Sequence, residues 1–125
     1  MKTIRQHYFV NATPEEVFNA LTNPFTIELW SGYPARMDAQ EGTEFSIFDG
    51  DIVGKNIKIT ENKQIVQEWY FGDQADESIV TIDLESHQLG TKVLLEHIHV
   101  PDDEAEEFKK GWNEYYWGAI QDFFK

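Results

Sequence analysis

The last fifteen residues of the chain, GWNEYYWGAIQDFFK, contain six aromatic side chains and two glycines. A helix turns by about 100° per residue, so a helix that includes this segment has one continuous apolar face. A face so rich in rings needs a broad apolar surface to pack against, and a sheet provides one. The sequence therefore predicts a long C-terminal helix lying across a sheet. The predicted core-facing residues are Ala105, Phe108, Trp112, Tyr115, Tyr116, Ala119 and Phe123.

One residue of this helix falls outside the predicted face, and two glycines lie along its edge. Trp117 projects almost opposite Phe108, so it is either covered by a loop or exposed. An exposed Trp117 would be a candidate contact for a protein partner. Each glycine in a helix costs about 1 kcal/mol relative to alanine. Gly111 and Gly118 therefore predict that another backbone passes close to the helix.

The N-terminal part of the chain predicts a strand over residues 3–11 and then two short helices. Thr13 and Glu16 form a capping box, and Asn23 is the cap of the second helix. A proline takes the first position of each helix, where its missing N–H costs nothing. The side chains of the second helix expected to point inward are Phe25, Leu29 and Trp30.

Residues 36–100 alternate between apolar and polar side chains, which is typical of half-buried antiparallel strands. Asp49-Gly50 is a dipeptide typical of tight hairpins. DQADE, residues 73–77, is predicted to be an acidic loop. On the last strand His97 and His99 are expected to face the core side together.

Composition sets further bounds. At 125 residues the chain is expected to form one domain, residues 1–125. The absence of cysteine excludes disulfides and thiolate zinc sites and favours a reducing, cytoplasmic location. A net charge of −13 disfavours nucleic acid and anionic membranes and favours a basic or neutral partner. We expect neither a secretory signal nor membrane insertion.

Several stretches resemble the C-terminal domain of the Aha-type activators of the heat-shock protein 90 ATPase. They include ATPEEVFNALTNP, IVQEWYF and VPDDEAEEFKKGWNEYYWGAIQDFF. That family belongs to the helix-grip superfamily of birch-pollen allergens, START domains and polyketide cyclases. The resemblance implies an α+β helix-grip fold. In this fold a curved antiparallel sheet of about six to seven strands wraps a long C-terminal helix, and two short helices follow the first strand.

The resemblance also implies a function. It predicts a non-catalytic accessory domain that binds a protein partner, such as a chaperone. The helical position of Trp117 makes this residue the candidate contact. It also implies that the N-terminal domain of the two-domain activators is missing here. The alternative is a small hydrophobic ligand held in a cavity between sheet and helix. The side chains predicted to line that cavity are Trp30, Met37, Phe45, Trp69, Phe71, Val80, Ile82, His97, Trp112 and Tyr116.

Catalytic and metal-binding patterns are weak. His7, His97 and His99 would form a zinc site if they converged, but hydrogen-bonded structural histidines are the favoured interpretation. No serine lies in a Gly-x-Ser-x-Gly turn. GDIVGKN has too few residues between its glycines for a phosphate-binding loop. We therefore expect no catalytic residue, metal or cofactor, while a cyclase-like or hydrolase-like activity stays open.

Overall fold

The computed structural model describes residues 1–71 and 77–125, so most of the predicted acidic loop lies outside the described residues. A six-stranded antiparallel sheet is the central element, with strand order β1-β6-β5-β4-β3-β2. It is curved around the C-terminal helix, which confirms the predicted α+β helix-grip architecture. The strands are β1 (Lys2–Val10), β2 (Glu44–Ile47), β3 (Ile52–Thr60), β4 (Gln64–Trp69), β5 (Ser78–His87) and β6 (Gly90–Val100).

Two short helices, α1 (Pro14–Thr22) and α2 (Pro24–Ser31), follow β1 as predicted. The Thr13 side chain accepts a hydrogen bond from the Glu16 backbone N–H, and the Glu16 side chain accepts one from Thr13, which completes the capping box. Asn23 caps α2. Within the described residues, no helix combines the length and hydrophobicity that crossing a membrane requires.

The predicted inward face of α2 was wrong for two of its three residues. Trp30 is buried, but Phe25 is 78% exposed and Leu29 is 71% exposed. The indole N–H of Trp30 donates to the Ala20 carbonyl oxygen at 2.7 Å, which fixes this side of α2 against α1. Ile27, three residues before Trp30, therefore shares the buried side, and Phe25 and Leu29 face solvent.

The C-terminal helix changes its winding in the middle. A 3-10 turn (Asp102–Glu104) leads into α3 (Ala105–Gly111), a π-helical turn follows (Trp112–Tyr116), and α4 (Trp117–Phe123) ends the element. The backbone N–H of Trp117 bonds to the carbonyl oxygen of Trp112, five residues earlier. A π turn holds one more residue than an α turn, so every later side chain is rotated relative to an uninterrupted α-helix.

This rotation corrects the predicted apolar face from the π turn onward. Tyr115 is 63% exposed and Phe123 is 41% exposed, although both were expected in the core. Tyr116, which was predicted in the core as well, is buried, and Phe124 packs against the core in place of Phe123. A shift of one residue is the expected effect of one π turn.

The same rotation places Trp117 in the core, so the alternative of an exposed ring was wrong. Its side chain is fully buried. The ring stacks on Tyr8 of β1, with centroids 5.6 Å apart and planes 20° from parallel. Trp117 is thus a core residue that joins the end of the helix to the edge strand of the sheet.

The two helix glycines differ. A Cβ atom on Gly118 would lie 2.6 Å from the carbonyl oxygen of Asn113, whereas a Cβ on Gly111 would meet nothing within 4 Å. The backbone close to Gly118 therefore belongs to its own helix, in the π turn. The prediction that another backbone passes close was wrong for both glycines.

Replacing these glycines separates the two cases. Gly118→Ala should lower the free energy of unfolding by about 1–3 kcal/mol, because the added methyl group collides with a backbone carbonyl. Gly111→Ala is the matched control and should raise it by up to about 1 kcal/mol, since alanine is the better helix former. Urea unfolding of both variants measures the difference. Equal effects would show that the π turn does not restrict residue 118.

Candidate functional site

Trp112 is the main contact between the C-terminal helix and the sheet. It is buried, and its ring stacks on Trp69 of β4 with centroids 4.8 Å apart. Its indole N–H donates to Nδ1 of His97 on β6 at 3.1 Å. The ring also contacts Tyr116, one turn further along the helix, at 4.6 Å. Stacking and a directed hydrogen bond together fix the rotation of the helix on the sheet.

His97 is fully buried inside this contact. Since Nδ1 accepts from Trp112, the ring proton belongs on Nε2, which donates to Ser78 Oγ at 2.8 Å. The Ser78 hydroxyl in turn donates to the Ile98 carbonyl oxygen at 3.2 Å. Burial lowers the pKa of His97 to about 3. His97 is therefore a neutral structural residue at physiological pH.

The three histidines considered as zinc ligands do not converge. His7 is exposed on β1. His99 has a left-handed backbone (φ 57°), marking an irregularity in β6, and its ring N–H donates to the Glu77 carbonyl oxygen at 2.7 Å. The expectation that His97 and His99 share a face was wrong, because this irregularity interrupts the alternation of the strand. Within residues 1–71 and 77–125, no group of three potential metal ligands is present.

A second buried polar network lies on the neighbouring strands. The indole N–H of Trp69 donates to Gln67 Oε1 at 3.0 Å, and Gln67 Nε2 donates to Asn56 Oδ1 at 3.0 Å. Asn56 Nδ2 donates to the Asp38 carbonyl oxygen at 3.1 Å. This network ties the loop before β2 to the sheet. The burial of Asn56 was not predicted from the sequence.

An open groove of about 780 Å³ runs beside the C-terminal helix. Its walls are that helix, the turn between β2 and β3, and the segment that ends α2. We call it the aromatic groove. The rings that line it are Tyr33, Phe48, Trp69, Phe108, Trp112, Tyr115 and Tyr116.

Carboxylates surround these rings. They come from two walls of the groove, and all are exposed. None of the described residues that line the groove is lysine or arginine. The groove is therefore apolar in its interior and negative at its rim. The rim carboxylates are Asp49, Asp51, Glu107, Glu114 and Asp122.

Only part of the predicted cavity set borders this groove. Trp69, Trp112 and Tyr116 line it. Burial raises the pKa of the Tyr116 hydroxyl above its ordinary value, so this phenol stays neutral. The remaining predicted residues lie in or against the core: Trp30, Phe45, Val80, Ile82 and His97 are buried, and Met37 and Phe71 are partly buried.

The turn between β2 and β3 holds an unusual backbone. Phe48 and Asp49 both have positive φ angles, 53° and 54°, before Gly50. This is costly for a bulky residue such as phenylalanine. Packing of the Phe48 ring against Trp30 and Tyr116 offsets this cost, with ring centroids 5.8 Å and 6.3 Å apart. The wall of the groove is thus held in place by the core behind it.

A family profile described as "Activator of Hsp90 ATPase homolog 1-like protein" matches residues 11–125. The chain belongs to this family. The human activator of 90 kDa heat shock protein ATPase homolog 1 is 27% identical over 114 residues, which cover 90% of this chain and 34% of the human protein. This Aha1-like chain therefore spans about a third of the length of the curated relatives it matches.

Solved structures agree with the Aha1-like fold. An HSP90 activator from Plasmodium falciparum superposes with a TM-score of 0.89 at 29% identity, covering 98% of this chain and 96% of that one. The Aha1 dimer from Colwellia psychrerythraea superposes with a TM-score of 0.84 at 20% identity, covering 99% and 96%. At that lower identity the likeness shows the fold alone.

The lowered pKa of His97 predicts a pH dependence. Between pH 6.5 and about 3 the unfolded chain binds a proton at His97 that the folded protein does not. The free energy of unfolding should therefore fall as the pH falls through this window, by up to about 1.4 kcal/mol per pH unit from this residue. The contribution is fully present above pH 6.5.

Urea unfolding at several pH values, with His97→Gln as the control, tests this. This variant should be less stable at neutral pH. Its free energy of unfolding should lack the pH dependence that His97 contributes. Parallel curves for the two proteins between pH 6.5 and 5 would contradict the assignment. Nitrogen chemical shifts of the His97 ring should report a neutral ring with its proton on Nε2.

Proposed function

We propose that this domain is a non-catalytic accessory domain that binds a chaperone of the heat-shock protein 90 class. The observation that carries the proposal is the near end-to-end similarity to a protein described as an HSP90 activator, at 29% identity and a TM-score of 0.89. The family match over residues 11–125 supports it as well. A fold shared by many functions would not carry the proposal alone.

The chemistry of the interior supports a non-catalytic role. His97 and Ser78 are hydrogen-bonded, as a general base and a hydroxyl would be. Both are fully buried, however, and the Ser78 hydroxyl donates to a backbone carbonyl. Neither group is open to a substrate. The pair therefore works as a structural link between two strands and the helix.

The partner-binding surface must differ from the one predicted, since Trp117 is buried. Exposed apolar side chains are available on α2, where Phe25 and Leu29 lie one turn apart. Tyr33 follows α2 and is 53% exposed at the edge of the aromatic groove. Exposed rings of this kind are common anchors in protein interfaces. We assign partner contact to this side of the molecule.

A second candidate function is the binding of a small hydrophobic ligand in the aromatic groove. The supporting observation is its volume of about 780 Å³, which falls within the usual range of about 300–1,000 Å³ for ligand pockets. Native mass spectrometry of the protein purified from its host tests this candidate. A retained molecule that is lost on Tyr115→Ser would support it, and a bare polypeptide mass would count against it.

Binding to a purified heat-shock protein 90 chaperone tests the main proposal. We expect a complex in sedimentation experiments and a changed ATPase rate of the chaperone. Phe25→Ser together with Leu29→Ser should weaken the complex by about tenfold or more, because exposed apolar anchors are lost without harm to the core. Leu89→Ser is the matched control, since Leu89 is 58% exposed in the turn between β5 and β6.

If no complex forms at chaperone concentrations far above micromolar, and the ATPase rate does not change, the domain does not act on this chaperone. If the double variant and Leu89→Ser weaken binding equally, α2 is not the contact.

A further inference from the structure

We infer that the aromatic groove is a docking site for a basic amphipathic segment of a partner protein. Such a segment would place a large apolar side chain between lysine or arginine side chains. The inference rests on the proposed function only in assuming that the partner is a protein. It names the chemistry of that partner, which neither the family match nor the similar structures give.

The rings of the groove offer an apolar surface to such a segment. Trp112 and Tyr116 are buried in the core yet border the groove, so they form a rigid floor. Tyr33 and Tyr115 are 53% and 63% exposed at its edges. An inserted apolar side chain would remove ring surface from water on both sides. Flat, rigid rings of this kind lose little conformational entropy on binding.

The rim of the groove offers negative charge to such a segment. Asp49 and Asp51 stand on the turn between β2 and β3, and Glu107 and Glu114 stand on the C-terminal helix across the groove. Among the described residues, none of these four carboxylates forms an ion pair. The fifth, Asp122, is paired with Lys125, and its Oδ1 lies 3.1 Å from the lysine Nζ. Four carboxylates are thus available to an incoming cation, and both walls attract it.

Other occupants fit this surface less well. A second copy of this chain would bring a net charge of −13 against another −13. An anionic lipid or fatty acid would meet the same carboxylates, which stand around the opening. Charge complementarity therefore selects a basic segment, and it also speeds the first encounter between the partners.

Two costly features of the backbone border the same groove. The π turn rotates Tyr115 out of the core and sets it at the edge. On the opposite wall, Phe48 and Asp49 have positive φ angles. π turns and strained residues occur often at functional sites. Both departures here lie in the walls of the groove and set the positions of Tyr115 and Phe48.

The probe for the test is a fluorescein-labelled peptide of four Leu-Lys-Lys-Leu repeats, measured by fluorescence anisotropy. The groove variant, Asp51→Asn with Glu114→Gln, removes one carboxylate from each wall. The control variant, Glu61→Gln with Glu85→Gln, removes the same charge from exposed positions outside the groove. We expect about a tenfold or greater loss of affinity in the groove variant and less than about a twofold loss in the control.

A second pair of variants tests the rings. Tyr115→Ser should weaken peptide binding by about tenfold, whereas Tyr70→Ser, at a 40% exposed tyrosine outside the groove, should leave it nearly unchanged. Neither tyrosine is in the core, so both variants should fold. Circular dichroism melts confirm folding before affinities are compared.

Several outcomes would overturn the inference. Equal losses in the groove and control variants would mean that net charge alone attracts the peptide. Equal binding of a Leu-Glu-Glu-Leu peptide would mean that the rim carboxylates do not discriminate between basic and acidic segments. A dimer in sedimentation experiments that is abolished by Tyr115→Ser would make a second copy the occupant.

The chaperone experiment separates this inference from the proposed function. If the chaperone binds and the groove variant binds it equally well, the proposed function stands and the inference falls. If the chaperone does not bind but the peptide does, with the expected losses, the inference stands and the proposed function falls.

Discussion

Trp112 joins the C-terminal helix to the sheet through two interactions that have different requirements. Its stacking on Trp69 fixes the distance between helix and sheet, and its hydrogen bond to His97 fixes the rotation of the helix. The bond also determines the chemistry of His97, because a ring nitrogen that accepts from an indole N–H cannot be protonated without losing that bond. A buried histidine is stable here only as a neutral acceptor, and the rest of the network follows from that state.

The position of Trp112 explains the π turn. Trp117 must also be buried, since it stacks on Tyr8 at the other end of the sheet. Residues five apart in an α-helix point about 140° away from each other, so an α-helix would bury one tryptophan and expose the other. A π turn brings residues five apart nearly into line. Two anchors on one sheet therefore require it, and the absence of a side chain at Gly118 leaves room for the Asn113 carbonyl.

The sequence predicted what local rules determine. The capping residues, the alternating strands and the existence of a long aromatic helix depend on neighbours in the chain, and the structure confirms them. The direction of Trp117 depends on Tyr8, more than a hundred residues away, and no α-helical periodicity includes a π turn. The burial of Asn56 depends in the same way on Gln67 and on a carbonyl oxygen in a distant loop. Long-range partners decide these positions, which is why the pattern of the surrounding residues misplaced them.

The same limit applies to the site. Ten inward-facing side chains were predicted to line one cavity, and three of them border the aromatic groove. The others fill the core, because side chains from the sheet, α2 and the helix interdigitate there. Trp112 and Tyr116 serve both purposes, so their loss would unfold the protein before it revealed a role in binding. The residues that can change without damage to the fold stand at the rim: exposed carboxylates and two exposed tyrosines. Substitutions at the rim can therefore test the proposed docking site while the tryptophans that hold the helix stay in place.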